Sequence, residues 1–522
     1  MLALIYLALA ALVGDFLCRR FYQFESSAHR CAAAILVGLV VSSWFTYLAS
    51  LAFFWTAQPL LWGNLLFFAG AVALLSWPKW KGRILKTPSV KAYSNRSDLY
   101  LARPEGSSIA DWLLIAGYVV LVAWMMFASF NAKEGKLQIA NPEYSDFGPN
   151  TALIQSFAVG HNFPTEYPHF SGDRIRYHFL FYFQAGNLEF LGLNPAWSLN
   201  LLSITTLVAM LVIVMTLGEV LFNSRAVGRV GSLLFFFFGS LSYVPFLQKQ
   251  ASVRAAIEAI FHQREFLPTI FPWRGEAWGT WSQVTYLNQR HFATAIGIFF
   301  LVVLFLVIRY RAVAARRPKG WLKSKFRSAF GVPRLRGVQG ELPKDGTPNQ
   351  PASSNGTVTP EPDAVVETAP SMMPDQPQTS GYNYTVASDA KPAEISAERE
   401  TEVPTSTTAE APQHTVLTSE SFRATLPGFV FSGVLLGLLP MFNSAVFLAA
   451  AAVLGVLFLL FSLRGQMLVL AVTSGVIALP QMLYLTTGSG RAQMPKLLHW
   501  GYTVEHPTAV NVAKYLGFTF GF

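Results

Sequence analysis

The sequence predicts an all-α polytopic membrane protein with about ten transmembrane helices. Three observations carry this. The composition is 52% hydrophobic and only 13% charged, too apolar for an ordinary soluble globule of 522 residues. Long apolar segments recur from the first residue onward. The Lys and Arg residues cluster in the short connections between those segments, as orientation signals do. The formal charge of +10 therefore reads as a topology signal and not as a nucleic-acid footprint. Cys18 and Cys31 lie at ends of apolar segments on the predicted cytoplasmic side, which supports neither a disulfide framework nor a cysteine-bound metal.

Residues 1 to 18 are apolar from the first methionine, with no basic region ahead of them and no small-residue cleavage site before Arg19 and Arg20. This predicts a retained first span with its N-terminus outside. Spans two and three follow at about 32 to 54 and 59 to 77, joined by the uncharged TAQP. The next connection holds Lys79, Lys81, Arg83, Lys86, Lys91, Arg96 and Arg103 against two acids, and so belongs to the cytoplasm. Residues 1 to 109 thus form an N-terminal three-span unit with a basic cytoplasmic loop. Span four, about 110 to 130, then delivers Asp146 to the outer face.

Two long outer loops follow, 131 to 196 and 248 to 290. Within the first, the stretch from Pro142 to Leu193 is polar for its place beside a membrane. Pro149 reads as a helix start with Ala152, Leu153, Phe157 and Ala158 on one face, and 177 to 193 is aromatic and apolar. Further apolar segments lie at about 197 to 222, 230 to 247 and 291 to 311, and ten Lys or Arg follow between Arg309 and Arg336. Were 177 to 193 a span, that basic run, Arg225 and Arg229 would all face outwards. The segment is also short for a span and carries Gln184, Asn187 and Glu189. It is therefore expected to be an amphipathic surface helix, like its predecessor.

Residues 312 to 425 begin basic and turn rich in Pro, Thr, Ser, Ala and Glu, which predicts a disordered cytoplasmic insertion from about 337. Residues 426 to 522 resume with spans at about 426 to 441, 444 to 463 and 466 to 486 and then an outer tail. The tail ends in YLGFTFGF, which reads as the start of another span.

The outer loops gather the residues that could do chemistry. Asp146, Glu166 and His291 are candidate acids, bases or ligands, and Arg174, Arg176, Arg290 and Arg491 suit a phosphate. His161, His169, Tyr177, His178, Trp278, Trp281 and Gln289 could contact a sugar or a lipid. Asp146 is equally placed to cap a helix, because SDFGPN is a good helix start.

An Asp soon after an early span, a helix ending in AVGHNFP, a Gly-containing turn into FSGDRIRYHFLFYF and a short GLNPAW step into the next span together resemble the first outer loop of GT-C glycosyltransferases. This superfamily of integral membrane enzymes includes the aminoarabinose transferases and protein O-mannosyltransferases. The resemblance covers about 110 to 311, and three spans precede it as an extension. It implies a GT-C-like core, a polyprenyl-phosphate sugar as donor and an acceptor on the outer face of the cell membrane. It also implies that Asp146 acts as base or helps hold a divalent metal. The second acidic position usual at the outer start of a later span falls here on Asn288, Gln289, Arg290 and His291, with no Asp. Metal use is thus open, and His291 or Glu166 would have to substitute. The competing expectation is a transporter or flippase for an anionic lipid-linked substrate. Transporters commonly show repeated halves, and no internal repeat is visible here. A purely structural assembly protein comes third.

Overall fold

The computed structural model describes residues 1–80, 107–140, 146–239, 241, 243–263, 270–271, 274–275, 282–315, 417–487 and 508–520. The basic loop after span three, nearly all of the insertion, the outer tail from 488 to 507, Trp278, Trp281 and Arg491 lie outside them.

The chain is a helical membrane-type bundle. Helices α1 (Leu2–Phe21), α2 (Ser27–Ala52), α3 (Pro59–Trp80) and α4 (Ile109–Ser129) match the first four expected spans. A hairpin, β1 (Phe130–Lys133) with β2 (Lys136–Ile139), follows, then α5 (Phe147–Ala158), a second hairpin of β3 (Glu166–Tyr167) and β4 (Phe170–Arg174), and α6 (Leu180–Phe190). Next come α7 (Pro195–Phe222), α8 (Arg225–Phe236), α9 (Tyr243–Gln248) and α10 (Val253–Phe261), and a two-residue pair, β5 (Ile270–Phe271) with β6 (Arg274–Gly275). The chain then forms α11 (Ser282–Asn288), α12 (Phe292–Ala315), α13 (Leu417–Gly437), α14 (Pro440–Leu460), α15 (Arg464–Thr486) and α16 (Ala509–Phe520).

Among the described residues eight helices are long and apolar enough to cross a membrane, with Thr425–Gly437 a shorter apolar helix. Spans α2, α7 and α12 are each 67% buried, against 17–39% for the other five, so these three form the centre and the others face lipid. The α1–α2 pair crosses on small residues. A Cβ on Gly14 would lie 2.0 Å from the Ala34 carbonyl oxygen, and one on Gly38 would lie 2.1 Å from that of Ala10. Only glycine allows such backbone approach.

Two expectations need correction. First, α6 is not a surface helix. Its eleven residues, about 16 Å at 1.5 Å each, are too short to cross, but Leu180 through Leu188 are all buried. An all-round apolar helix buries all its faces. Its polar side chains turn inward: Gln184 donates to the Leu39 carbonyl at 3.1 Å, and Asn187 exchanges hydrogen bonds with Asn64.

Second, the expected span at 230 to 247 is interrupted. Helix α8 stops at Phe236, and its C-terminal carbonyls are met by the N-terminus of α11, more than forty residues later in the chain. The Ser282 N–H donates to Phe238 O at 2.9 Å, its hydroxyl to Phe235 O at 2.9 Å, and Gln283 Nε2 to Phe236 O at 2.8 Å. Contacts with α4 fix the direction of this pair. Asp111 pairs with Arg229, Tyr118 hydrogen-bonds Ser232, and Ser129 accepts from Arg290. Ascending α4 thus meets α8 and then α11. Twelve plus seven residues rise about 28 Å, close to the roughly 30 Å of a hydrocarbon core. The two half-helices together have the length of one crossing, and Arg311 near the end of α12 donates to the Leu221 carbonyl at 2.7 Å, on the side of Arg225 and Arg229.

This arrangement predicts a labelling pattern. A cysteine at Lys136, in the exposed first hairpin, should react with an impermeant thiol reagent added to intact cells. One at Arg464, at the start of α15, should react only after permeabilisation. The reverse pattern would overturn the orientation.

Candidate functional site

The site is built around the three-residue step Gln289, Arg290 and His291 between α11 and α12. Each residue reaches a different element. Gln289 Nε2 donates to the Asp146 carboxylate at 2.5 Å. Arg290 turns to α4 and α7, where it donates to Asn200, to the Ser129 hydroxyl at 3.0 Å and to the Met126 carbonyl at 3.4 Å. The His291 ring meets α6 and the residues just before it. Its Nε2 lies 2.8 Å from His178 Nε2, and its Nδ1 lies 3.1 Å from the Tyr182 hydroxyl.

Asp146 sits at the N-cap position of α5 but does not cap it. A capping residue needs extended backbone angles to place its oxygen over the free N–H groups, and Asp146 is helical at φ −69°, ψ −14°. The carboxylate is therefore available to Gln289. It faces Tyr177 and Tyr182, whose hydroxyl acidities both respond to its charge.

Burial sets the electrostatics. His291 is fully buried, and burial, followed by the neighbouring His178, pushes its pKa well below the usual imidazole value. Burial alone lowers that of His178 to about 4. Tyr177, stacked on His178 with ring centres 3.8 Å apart, is raised to about 12 by burial first and the Asp146 charge second. Both imidazoles are consequently neutral at pH 7 and both phenols protonated. In a bond between neutral imidazoles one nitrogen donates and the other accepts. The run Tyr182, His291, His178 can hold its protons in either direction. In one direction His178 Nε2 donates inward and leaves a lone pair on Nδ1, which has no protein partner among the described residues.

This electrostatic setting has a measurable consequence. Between the unfolded imidazole value of 6.5 and the folded value of about 4 for His178, the unfolded chain binds more protons than the folded one, so stability rises with pH. We expect the melting temperature to be flat from pH 7 to 8 and to fall as pH drops from 6.5 towards 4. His178→Gln should remove part of that fall; an unchanged profile would show that His178 is not held neutral.

The other expected residues are distributed differently. Arg176 donates to the Tyr484 carbonyl at 2.5 Å and stacks over its ring at 4.6 Å, tying the loop to α15. Glu166 lies exposed in the second hairpin, where it accepts the Gly172 N–H at 3.0 Å. It is a turn-stabilising residue and does not reach the buried pair. His169 and Arg174 are exposed on the same hairpin. His161 adopts a left-handed φ of 49° just after α5, and its buried Nδ1 has no partner among the described residues. Arg290 is 2% exposed and turns its donors to Asn200, Ser129 and Met126. Tyr182, Asn200 and Ser129 were not anticipated. The four-residue spacing of His178 and Tyr182 is a signal that the aromatic run concealed.

The side chains nearest to a site for the divalent metal that the resemblance implies are engaged in hydrogen bonds with one another. His178 and His291 direct Nε2 atoms at one another at hydrogen-bond distance, and Asp146 is held by a Gln amide. Among the described residues no three of His, Cys, Asp and Glu converge as a ligand group. Comparison of the chain with protein-family models, with curated proteins and with solved structures finds no match.

Proposed function

We propose that this chain is a membrane glycosyltransferase that moves a sugar from a polyprenyl-phosphate carrier to an acceptor hydroxyl at the outer face of the cell membrane. The observation that carries the proposal is the Asp146 carboxylate, free of any capping role and oriented by Gln289 beside the His178–His291 pair. In this reading the acceptor hydroxyl gives its proton to Asp146 as its oxygen attacks the anomeric carbon. The bond from that carbon to the phosphate breaks, and polyprenyl phosphate leaves. Tyr177 and His178 line the acceptor side, and exposed Arg174 is the described cation left to meet the phosphate.

The interrupted α8–α11 crossing favours one alternative, because transporters use broken helices to bind substrate at mid-membrane. Here, however, the facing helix ends satisfy each other through Ser282 and Gln283. The deciding experiment incubates the purified chain with radiolabelled polyprenyl-phosphate sugars. Release of labelled sugar from one donor is expected. No release from any donor, with counterflow of a lipid-linked anion in proteoliposomes, would replace the enzyme by a transporter.

A further inference from the structure

A second polar feature lies at the opposite, arginine-rich end of the bundle. His29, in the first turn of α2, is 2% exposed. Its backbone N–H donates to the Ser26 hydroxyl at 3.1 Å, and its ring Nδ1 accepts the Glu25 N–H at 3.3 Å. A neutral imidazole that accepts at Nδ1 carries its proton on Nε2, and that buried Nε2 has no partner among the described residues. An orphaned buried donor is costly enough to call for a ligand.

His29 lines a cavity with Tyr22, Gln23, Phe305 and Arg309 that has room for about one water-sized group, 10 Å³. No residue lining it is acidic. The Arg309 guanidinium stands 5.5 Å over the Phe305 ring. Tyr22 of this cavity meets Phe431 with ring centres 5.3 Å apart. Phe431 in turn lines an apolar crevice of about 350 Å³ between α1 and α13, walled by Phe21, Pro427, Val430 and Val434.

We propose that the two adjoining spaces seat one anionic glycerophospholipid of the leaflet at the arginine-rich end, a phosphoryl oxygen accepting from His29 Nε2–H beside Arg309 and an acyl chain lying in the crevice. The sizes select this ligand. The cavity admits one oxygen and not a whole phosphate, so the ligand reaches in from outside, while the crevice falls in the size range of small-ligand pockets. A lining that holds Arg309 and no acidic residue selects an anionic headgroup over a zwitterionic one.

The test titrates the full chain in detergent with dioleoylphosphatidylglycerol and reads bound lipid by native mass spectrometry. Dioleoylphosphatidylcholine serves as the zwitterionic arm and inorganic phosphate as the free-anion arm. One phosphatidylglycerol per chain is expected. Arg309→Gln and His29→Phe, which keeps the ring against Phe24, should each weaken it by about tenfold, the effect of one charge-assisted hydrogen bond, and Val430→Trp should weaken it by filling the crevice. Equal retention by the parent, Arg309→Gln and Val430→Trp would overturn the proposal. So would phosphatidylcholine binding as tightly, or millimolar phosphate alone raising the melting temperature. Should His29→Phe fail to fold, the other two variants decide.

Discussion

Asp146→Asn should insert and fold normally yet transfer sugar at under about 1% of the parent rate, because general-base catalysis is worth roughly 10²- to 10⁴-fold. The geometry makes this substitution clean. Asp146 makes no capping hydrogen bond, so no cap is lost. The Asn side-chain oxygen can still accept the Gln289 amide, so the position is held while the proton acceptor is removed. Turnover of a labelled polyprenyl-phosphate sugar is the measurement, with the melting temperature as control. Near-normal turnover would remove Asp146 from the mechanism and turn attention to His178, whose Nδ1 is the next acceptor in line. Loss of turnover with a lowered melting temperature would instead make Asp146 a structural residue.

The sequence announced the spans because hydrophobicity and charge act locally. Every residue of α7 or α12 contributes to the same apolar run, and Arg225, Arg229 and Arg309 mark the same side whichever helices lie between them. The half-helices escaped the same reading. A crossing assembled from Arg225–Phe236 and Ser282–Asn288 depends on hydrogen bonds between residues some forty positions apart, and an apolar run continuing past Phe236 masks the break. Helix α6 shows the second limit. Apolarity on every face distinguishes a buried helix from an interfacial one, yet Gln184, Asn187 and Glu189 suggested a polar face. Their partners, Leu39, Asn64 and Gln155, are invisible without the fold.

The site was legible as a set of residue types and not as an arrangement. Asp146, His178, Gln289 and His291 were all singled out from the outer loops, and the fold brings them to one place. Arg174, Arg176 and Arg290 looked alike as cations beside a membrane. The structure separates them by burial and partners, which leaves one exposed, one docked on Tyr484 and one enclosed.

The enclosed arginine gives the largest expected effect on stability. Arg290 holds the Asn200 side-chain oxygen, the Ser129 hydroxyl and the carbonyls of Met126 and Leu287, and lies 4.9 Å over the Phe147 ring. Arg290→Met roughly matches its apolar stem but leaves the Asn200 oxygen buried without a donor. Leaving a buried acceptor without its donor costs about 1–3 kcal/mol, enough to lower the melting temperature by several degrees. Arg290→Lys should recover only part of that loss, since one ammonium cannot reproduce the planar fork between α4 and α7. If Arg290 serves instead to grip the lipid phosphate, Arg290→Lys should keep its melting temperature and raise KM, the result expected of the exposed Arg174. A cycle with Asn200→Ala separates the two roles. Residues that share one buried bond are destabilised non-additively when both are removed, so Asn200→Ala in the Arg290→Met background should cost much less than it does alone. Simple addition of the two losses would show that Arg290 is not anchored through Asn200.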